Sequence, residues 1–342
     1  ETYRFNWNAP FLLSPHDPDT LFLGGNRLFI SHDRGETWTA TKDLTAARDR
    51  GRLSIMGVPD DEITLSKHDG ISYYGTLTTI NESPLQAGLI YTGADDGTVQ
   101  ITEDGGETWT DLTGRFPDLP DYTYVSRIEC SHSVKDRVYI SFDGHRNDDF
   151  TPYIFVSENK GRSWRRIALG LPEGKTVNVI REHPRNPALL FAGTERGAYY
   201  SLDQGDTWVF IEDEIPMVPV DDIAIHPRDN DLIFGTHGRS VWILDDITAL
   251  EQYTPESQAK PLVLFDMRPG VIINFFSRRA HYDYKGLFGH AVFRAPNPPD
   301  GVFIDYYLKE HQNQPVTILV QDQAGDTIRK LKGPGEKGIH RV

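Results

Sequence analysis

Short runs of β-branched and aromatic residues, each bounded by Gly, Pro, Asn or Asp, recur along the first three quarters of the chain and read as strands. A polar, Pro-rich turn leading into such a run appears as Ser14-Pro-His-Asp-Pro-Asp-Thr-Leu-Phe-Leu-Gly24. It returns as His183-Pro-Arg-Asn-Pro-Ala-Leu-Leu-Phe-Ala-Gly193 and His226-Pro-Arg-Asp-Asn-Asp-Leu-Ile-Phe-Gly235, and more loosely from Asn81 and Ser131. Another apolar run precedes each turn, such as Val177-Asn-Val-Ile180 or Asp222-Ile-Ala-Ile225.

After these strands comes a tighter repeat. Ser31-His-Asp-Arg-Gly-Glu-Thr-Trp38, Thr102-Glu-Asp-Gly-Gly-Glu-Thr-Trp109, Ser157-Glu-Asn-Lys-Gly-Arg-Ser-Trp164 and Ser201-Leu-Asp-Gln-Gly-Asp-Thr-Trp208 share one ungapped pattern. Chance does not produce it four times, so it is an internal repeat. The acidic and hydroxyl side chains suit hydrogen bonding to turn N–H groups. The central Gly supplies a backbone conformation that a Cβ resists, and the Trp is expected to start a strand and bury its ring. The motif resembles the Asp-box of sialidase-like propellers and sortilin-type receptors. Its residues (Asp33, Trp38, Asp104, Trp109, Asn159, Trp164, Asp203, Trp208) are expected to be structural rather than catalytic.

One unit is therefore strand, Pro-rich turn, strand, Gly-containing turn, strand, Asp-box turn, strand: a four-stranded meander, the blade of a β-propeller. The fold class is all-β. A fifth, degenerate box sits at Asp245, because Gly193-Thr-Glu-Arg-Gly-Ala-Tyr-Tyr-Ser-Leu-Asp203 lies in register with Gly235-Thr-His-Gly-Arg-Ser-Val-Trp-Ile-Leu-Asp245. The spacings between box positions are 71, 55, 44 and 42 residues. The first two are inflated by insertions around 45–73 and 143–151. Five blades could close a small ring, but open blade faces would expose aromatic surface, so part of a larger ring is expected, completed by the same precursor or another chain. The start at Glu1 without Met and the stop at Val342 lead to the same expectation of a longer precursor. The blades are assigned to 1–252 and a linker to 253–262. Alternating strands over 263–342, among them Val271-Ile-Ile-Asn-Phe-Phe, predict an Ig-like β-sandwich, incomplete at its C-terminal end.

Hydrophobic residues at 38% support a real core in the 342-residue chain, and a formal charge of −15 argues against nucleic acid as a partner. The lone Cys130 excludes an intrachain disulfide but not an oxidising compartment. No apolar run reaches the length of a membrane span.

Several phrases narrow the resemblance: Tyr3-Arg-Phe-Asn-Trp-Asn, Leu65-Ser-Lys-His-Asp-Gly, Tyr74-Gly-Thr-Leu-Thr-Thr-Ile, Phe142-Asp-Gly-His-Arg and Thr236-His-Gly-Arg-Ser-Val-Trp-Ile-Leu-Asp-Asp246. With the boxes they resemble the large bacterial exported proteins described as sortilin-like, or as glycosyl hydrolases with Asp-box repeats. The resemblance implies a secreted or periplasmic location and a propeller followed by a sandwich.

In a meander the second-to-third turns lie opposite the boxes. They carry Arg27, Asp95, Asp96, Asp143, His145, Arg146, Asp148, Asp149, Glu195, Arg196, His237 and Arg239. This rim is the candidate surface for a peptide, protein or glycan ligand, against the plainer reading of solvated hairpin tips. A polysaccharide hydrolase is the alternative, since Asp95 or Asp96 facing Asp148 or Asp149 would supply the two carboxylates it needs. Sialidase chemistry is not expected, because Arg127-Ile-Glu129 lacks the proline of the sialidase opening. Asp143, Asp148 and Asp149, with His145, are hard ligands suited to structural Ca²⁺, against an ordinary polar loop. No other cofactor is expected.

Overall fold

The computed structural model of the chain describes residues 2–54, 58–59, 61–62, 73–212, 215–270 and 301–342. The phrase at 65–70 and the strand expected from Val271 lie outside the described residues. Two compact units divide the chain, 1–244 and 245–342.

The first unit is a series of antiparallel meanders. Blade one comprises β1 (Phe11–Leu13), β2 (Leu21–Gly24), β3 (Leu28–Ser31) and β4 (Thr39–Ala40). Blade two comprises β5 (Leu77–Glu82), β6 (Ile90–Ala94), β7 (Val99–Thr102) and β8 (Thr110–Asp111). Blade three comprises β9 (Tyr124–Cys130), β10 (Val138–Asp143), β11 (Tyr153–Ser157) and β12 (Arg165–Arg166). Blade four comprises β13 (Val177–His183), β14 (Asn186–Thr194), β15 (Gly197–Ser201) and β16 (Val209–Phe210). The fifth sheet has three strands, β17 (Val220–Ile225), β18 (Leu232–Thr236) and β19 (Val241–Leu244).

The core lies between blades, and this explains the strand patterns. One cluster joins Phe22, Leu28 and Ile30 of blade one to Leu77, Ile80 and Ile90 of blade two. Others join blades two and three around Phe155 and Phe142, and blades three and four around Tyr139 and Ile180. A blade covered on both faces has no solvent side, so every residue of β10 is buried. At the two ends of the series the alternation returns. Phe11 and Leu13 of β1 are 59% and 57% exposed, and Val241 and Ile243 of β19 are 60% and 56% exposed.

Close blade contact also dictates glycine. A Cβ on Gly93 would stand 2.3 Å from Val125, and one on Gly193 would stand 2.7 Å from the Val220 carbonyl oxygen. The equivalent Gly235, with no blade beyond it, would meet nothing nearer than 3.7 Å.

The box turns form as their chemistry requires. In the first, Ser31 Oγ donates to Asp33 Oδ1 at 2.8 Å, while Thr37 N and Thr37 Oγ1 donate to the same carboxylate at 2.8 and 2.6 Å. These bonds hold Asp33 down at about 2, and Asp104 is lowered in the same way. Both carboxylates therefore favour the fold above their unfolded value, an advantage lost on acidification. The expectation that each box Trp is buried needs correction. Trp164 is 9% exposed and packs in the cluster between blades two and three, whereas Trp38 is 39% exposed. Trp109 and Trp208 are partly buried, against the clusters of blades one and two and of blades three and four. Each ring packs on the blade before its own, and Trp38 has none.

Among the described residues no fourth strand or box follows β19. Asp245 falls in the second unit, where its neighbour Asp246 accepts from Arg268 Nε at 2.8 Å. Helix α1 (Thr248–Glu251) precedes the segment 253–262 expected as a linker, within which lies α2 (Pro255–Ala259), opened by a capping box between Thr254 and Ser257. The strands of this unit are β20 (Leu262–Leu264), β21 (Asp305–Leu308), β22 (Val316–Gln321), β23 (Thr327–Gly333) and β24 (Gly338–Arg341). They form a β20-β21-β24 sheet and a β22-β23 hairpin. Phe265, Tyr307 and Ala249 make its small core, and Arg341 grips Asp305 at 2.8 Å.

Candidate functional site

The inner strands β5, β9, β13 and β17 share a device that the strand pattern alone did not show. Each is interrupted by a bulge, at Thr78, Ser126, Asn178 and Asp221. A bulge turns its extra residue out of the pleat, and here it aims a polar side chain at the next blade. Thr78 Oγ1 donates to the Val125 carbonyl at 2.6 Å, Ser126 Oγ to that of Val177 at 2.7 Å, and Asn178 Nδ2 to that of Val220 at 3.3 Å. The inner edges are thus stitched blade to blade. Asp221, fourth in the series, is an acceptor when ionised and instead faces His237, whose Nδ1 lies 3.2 Å from its Oδ2.

Around these strands lies a cavity of about 700 Å³, lined from all five blades. Leu12, Ile80 and Ile128 give it apolar wall, and Tyr124, Arg127 and Arg181 add polar groups. Arg181 reaches Glu129 at 2.8 Å and Asp222 at 2.9 Å, and Arg127 reaches Asp222 at 3.0 Å. Burial opposes ionisation of Glu129, but the Arg181 charge and the His132 hydrogen bond hold its pKa below the usual range. Burial and the like charge of Arg181 lower Arg127. These partners span blades three, four and five, which is why spacing along the chain did not reveal them. Aligning the inner strands on their bulges would have found Arg127 and Asp222, which occupy one position.

The turns opposite the boxes contribute to the same cavity. Asp143, His145, Arg146, Glu195 and His237 all line it. His145 Nδ1 is 2.5 Å from Asp143 Oδ2, and Arg146 Nη1 is 3.3 Å from the same oxygen while its guanidinium covers the Tyr124 ring. Burial would raise Asp143, but the His145 hydrogen bond and the His145 and Arg146 charges hold it below its ordinary value. An ionised carboxylate only accepts, so Nδ1–H donates in each Asp–His pair and Nε2 is left to the other side of the ring.

Residues 97–239 match the family model described as sortilin, neurotensin receptor 3, and residues 29–40 match the BNR/Asp-box repeat. Over 71 residues the chain is 39% identical to a vacuolar protein sorting/targeting protein 10 of Laccaria bicolor, a match spanning 20% of this chain and 5% of that protein. Over these residues the chain is similar to sortilin-like Asp-box propellers. A xyloglucanase from Xanthomonas campestris shares the fold, with 19% identity and a TM-score of 0.52 over 77% of this chain and 41% of that one. A GH74 enzyme from Niastella koreensis is 15% identical, with a TM-score of 0.44, over 77% of this chain and 49% of that one.

Other rim residues of the propeller lie elsewhere. Arg27 folds onto its own blade, donating to the Thr41 carbonyl at 2.6 Å. Arg196 and Arg239 are exposed and do not line the cavity. Asp95 and Asp96 anchor the chain on either side of the insertion. Asp96 accepts from Ala46 N at 2.9 Å; Asp95 accepts from Gly75 N at 3.0 Å, Thr76 N at 2.8 Å and Thr76 Oγ1 at 2.8 Å. Asp148 and Asp149 line a separate groove of about 520 Å³ with Phe150 and Leu169. Of the carboxylates considered for hydrolysis, Asp95 and Asp96 are thus taken up by hydrogen bonds within the protein, and Asp148 and Asp149 line that groove. Of the three carboxylates considered for Ca²⁺, Asp149 is occupied by Thr151 N and Tyr153 Oη. No metal-holding group of three or more His, Cys, Asp or Glu occurs among the described residues. No helix of the described residues is long and apolar enough to cross a membrane.

Burial outweighs the three hydrogen bonds at Asp95 and pushes its pKa up to about 6. The folded state then binds the proton more tightly than the unfolded chain, so stability falls as pH rises from about 4 to 6. The ionised group costs about 3 kcal/mol above that window. Asp95→Asn is expected to be at least as stable as the parent at pH 7.5 and to narrow the lead on going to pH 5. Urea midpoints at the two pH values check this, and a constant difference would contradict it.

Proposed function

We propose that the chain is a secreted, non-catalytic binding module that takes a peptide, protein or glycan ligand at the propeller face opposite the Asp-boxes. The carrying observation is the convergence of Asp143, His145, Arg146, Glu195 and His237, from the turns of three blades, on one cavity backed by the inner strands. Rigid blades holding variable turns suit recognition, and the fold alone prescribes no chemistry. The sortilin-like propeller match supports the same reading. The hydrogen bonds that occupy Asp95 and Asp96 weigh against the pair of free facing carboxylates that a hydrolase needs.

Incubation with a panel of blocked peptides and soluble oligosaccharides tests the function. Saturable binding of one class without cleavage products is expected. Release of new amino or reducing ends, lost in the variant carrying His145→Ala and His237→Ala, would overturn the non-catalytic reading.

A further inference from the structure

We infer that the axial cavity selects a cationic ligand, the ammonium or guanidinium group of a Lys- or Arg-containing peptide, and that Glu195 and Asp221 are the residues that hold it. The inference rests on the binding reading above and adds the chemistry of the ligand.

Three guanidinium groups line the cavity, and each is matched. Arg146 is held by Asp143, Arg127 by Asp222, and Arg181 by Glu129 and Asp222. Each positive charge is thus met by a carboxylate of the protein, although Arg127 Nε has no hydrogen-bond partner among the described residues. The carboxylates are in surplus: among the described residues Glu195 lines the cavity with no side-chain partner, and Asp221 has only the imidazole of His237. The bulge ladder makes the same point independently. Thr78, Ser126 and Asn178 donate to an acceptor on the next blade, whereas the fourth position is an acidic acceptor. A group that meets Asp221 at this edge must therefore donate. Beside these carboxylates the wall is apolar at Phe11, Leu12 and Ile80, a surface for the methylene stem of a lysine or arginine side chain. The chain's charge of −15 adds attraction at long range.

The test uses three fluorescein-labelled probes with blocked ends: a Lys-Gly pentapeptide, the matching Glu-Gly pentapeptide and a neutral xyloglucan oligosaccharide. Binding is read by polarisation at 0.15 M salt, a concentration at which long-range surface attraction is largely screened. The lysine probe should bind saturably and at least about tenfold more tightly than the other two. Glu195→Gln with Asp221→Asn should weaken it at least about tenfold, whereas Glu107→Gln, an exposed box-turn carboxylate, should leave it unchanged. Circular dichroism of each variant establishes that it is folded. Equal binding of the lysine probe by parent and double variant would overturn the inference, as would no binding of it at all. Tight binding of the glutamate or oligosaccharide probe, lost in the variant carrying His145→Ala and His237→Ala, would overturn the cationic ligand while leaving the cavity as the site.

Discussion

Trp164→Ala is expected to destabilise the propeller by about 3–5 kcal/mol, whereas Trp38→Ala should cost under about 1 kcal/mol. The two tryptophans occupy the same place in the same motif, so motif chemistry predicts one cost for both. Position in the blade series separates them. Trp164 sits in the cluster between blades two and three, with its ring 4.7 Å from that of Phe116. Removing it opens a cavity walled by Phe116 and Leu112, which cannot collapse without moving two blades. Trp38 donates its indole N–H to the Gly35 carbonyl at 3.0 Å and is 39% exposed, outside the clusters between blades. Urea midpoints followed by circular dichroism read both. Equal losses would show that the box turn, rather than the preceding blade, sets the value of the ring.

The second large effect concerns Glu182, which is 1% exposed and latches blade four to blade three. Its carboxylate accepts from Ser131 Oγ at 2.7 Å, His132 N at 2.8 Å and Tyr139 Oη at 3.0 Å. Glu82 does the same for blades one and two, accepting from Ser14 Oγ at 2.6 Å. Glu182→Ala leaves two buried hydroxyl donors and a partly buried N–H unpaired at once, and a loss of about 3–5 kcal/mol is expected. Burial raises the Glu182 pKa, against the hydrogen bonds from Ser131, His132 and Tyr139 that lower it. The charge therefore works against the fold at neutral pH, and this cost is relieved as pH falls through its folded value toward the ordinary 4.5. Glu182→Gln keeps an acceptor without the charge and should recover more than half of the alanine loss. A glutamine variant as unstable as the alanine variant would show that ionisation itself holds the latch.

The architecture was legible because it is written locally. Each box closes on its own residues, Asp33 binding Ser31 and Thr37, so the Gly and Thr spacing is a direct record of the turn. The Pro-rich phrases likewise mark where β2, β14 and β18 begin. The same locality misled at the box tryptophans, whose burial is decided by the preceding blade. It misled again at Asp245, where register predicted a box but β19 is the last strand of its sheet. The site was half legible. His145, Arg146, Glu195 and His237 were readable from turn position, because a meander fixes which turns share an end. The bulge residues and the Arg127, Arg181, Asp222 network were not, since their partners lie some 40 to 95 residues away across the axis. Asp95 and Asp96 have the composition of rim residues, but the backbone N–H groups of the insertion claim them first.

The central claim is that recognition belongs to the axial cavity and not to the box face. Its most direct measurement is the affinity of whichever probe binds, compared between two triple variants. One carries alanine at His145, Glu195 and His237 in the cavity; the other carries alanine at Glu36, Glu107 and Asp206, exposed on box turns. The cavity variant should lose at least about tenfold in affinity and the box-face variant less than about twofold. The reverse order would place recognition on the box face and contradict the account.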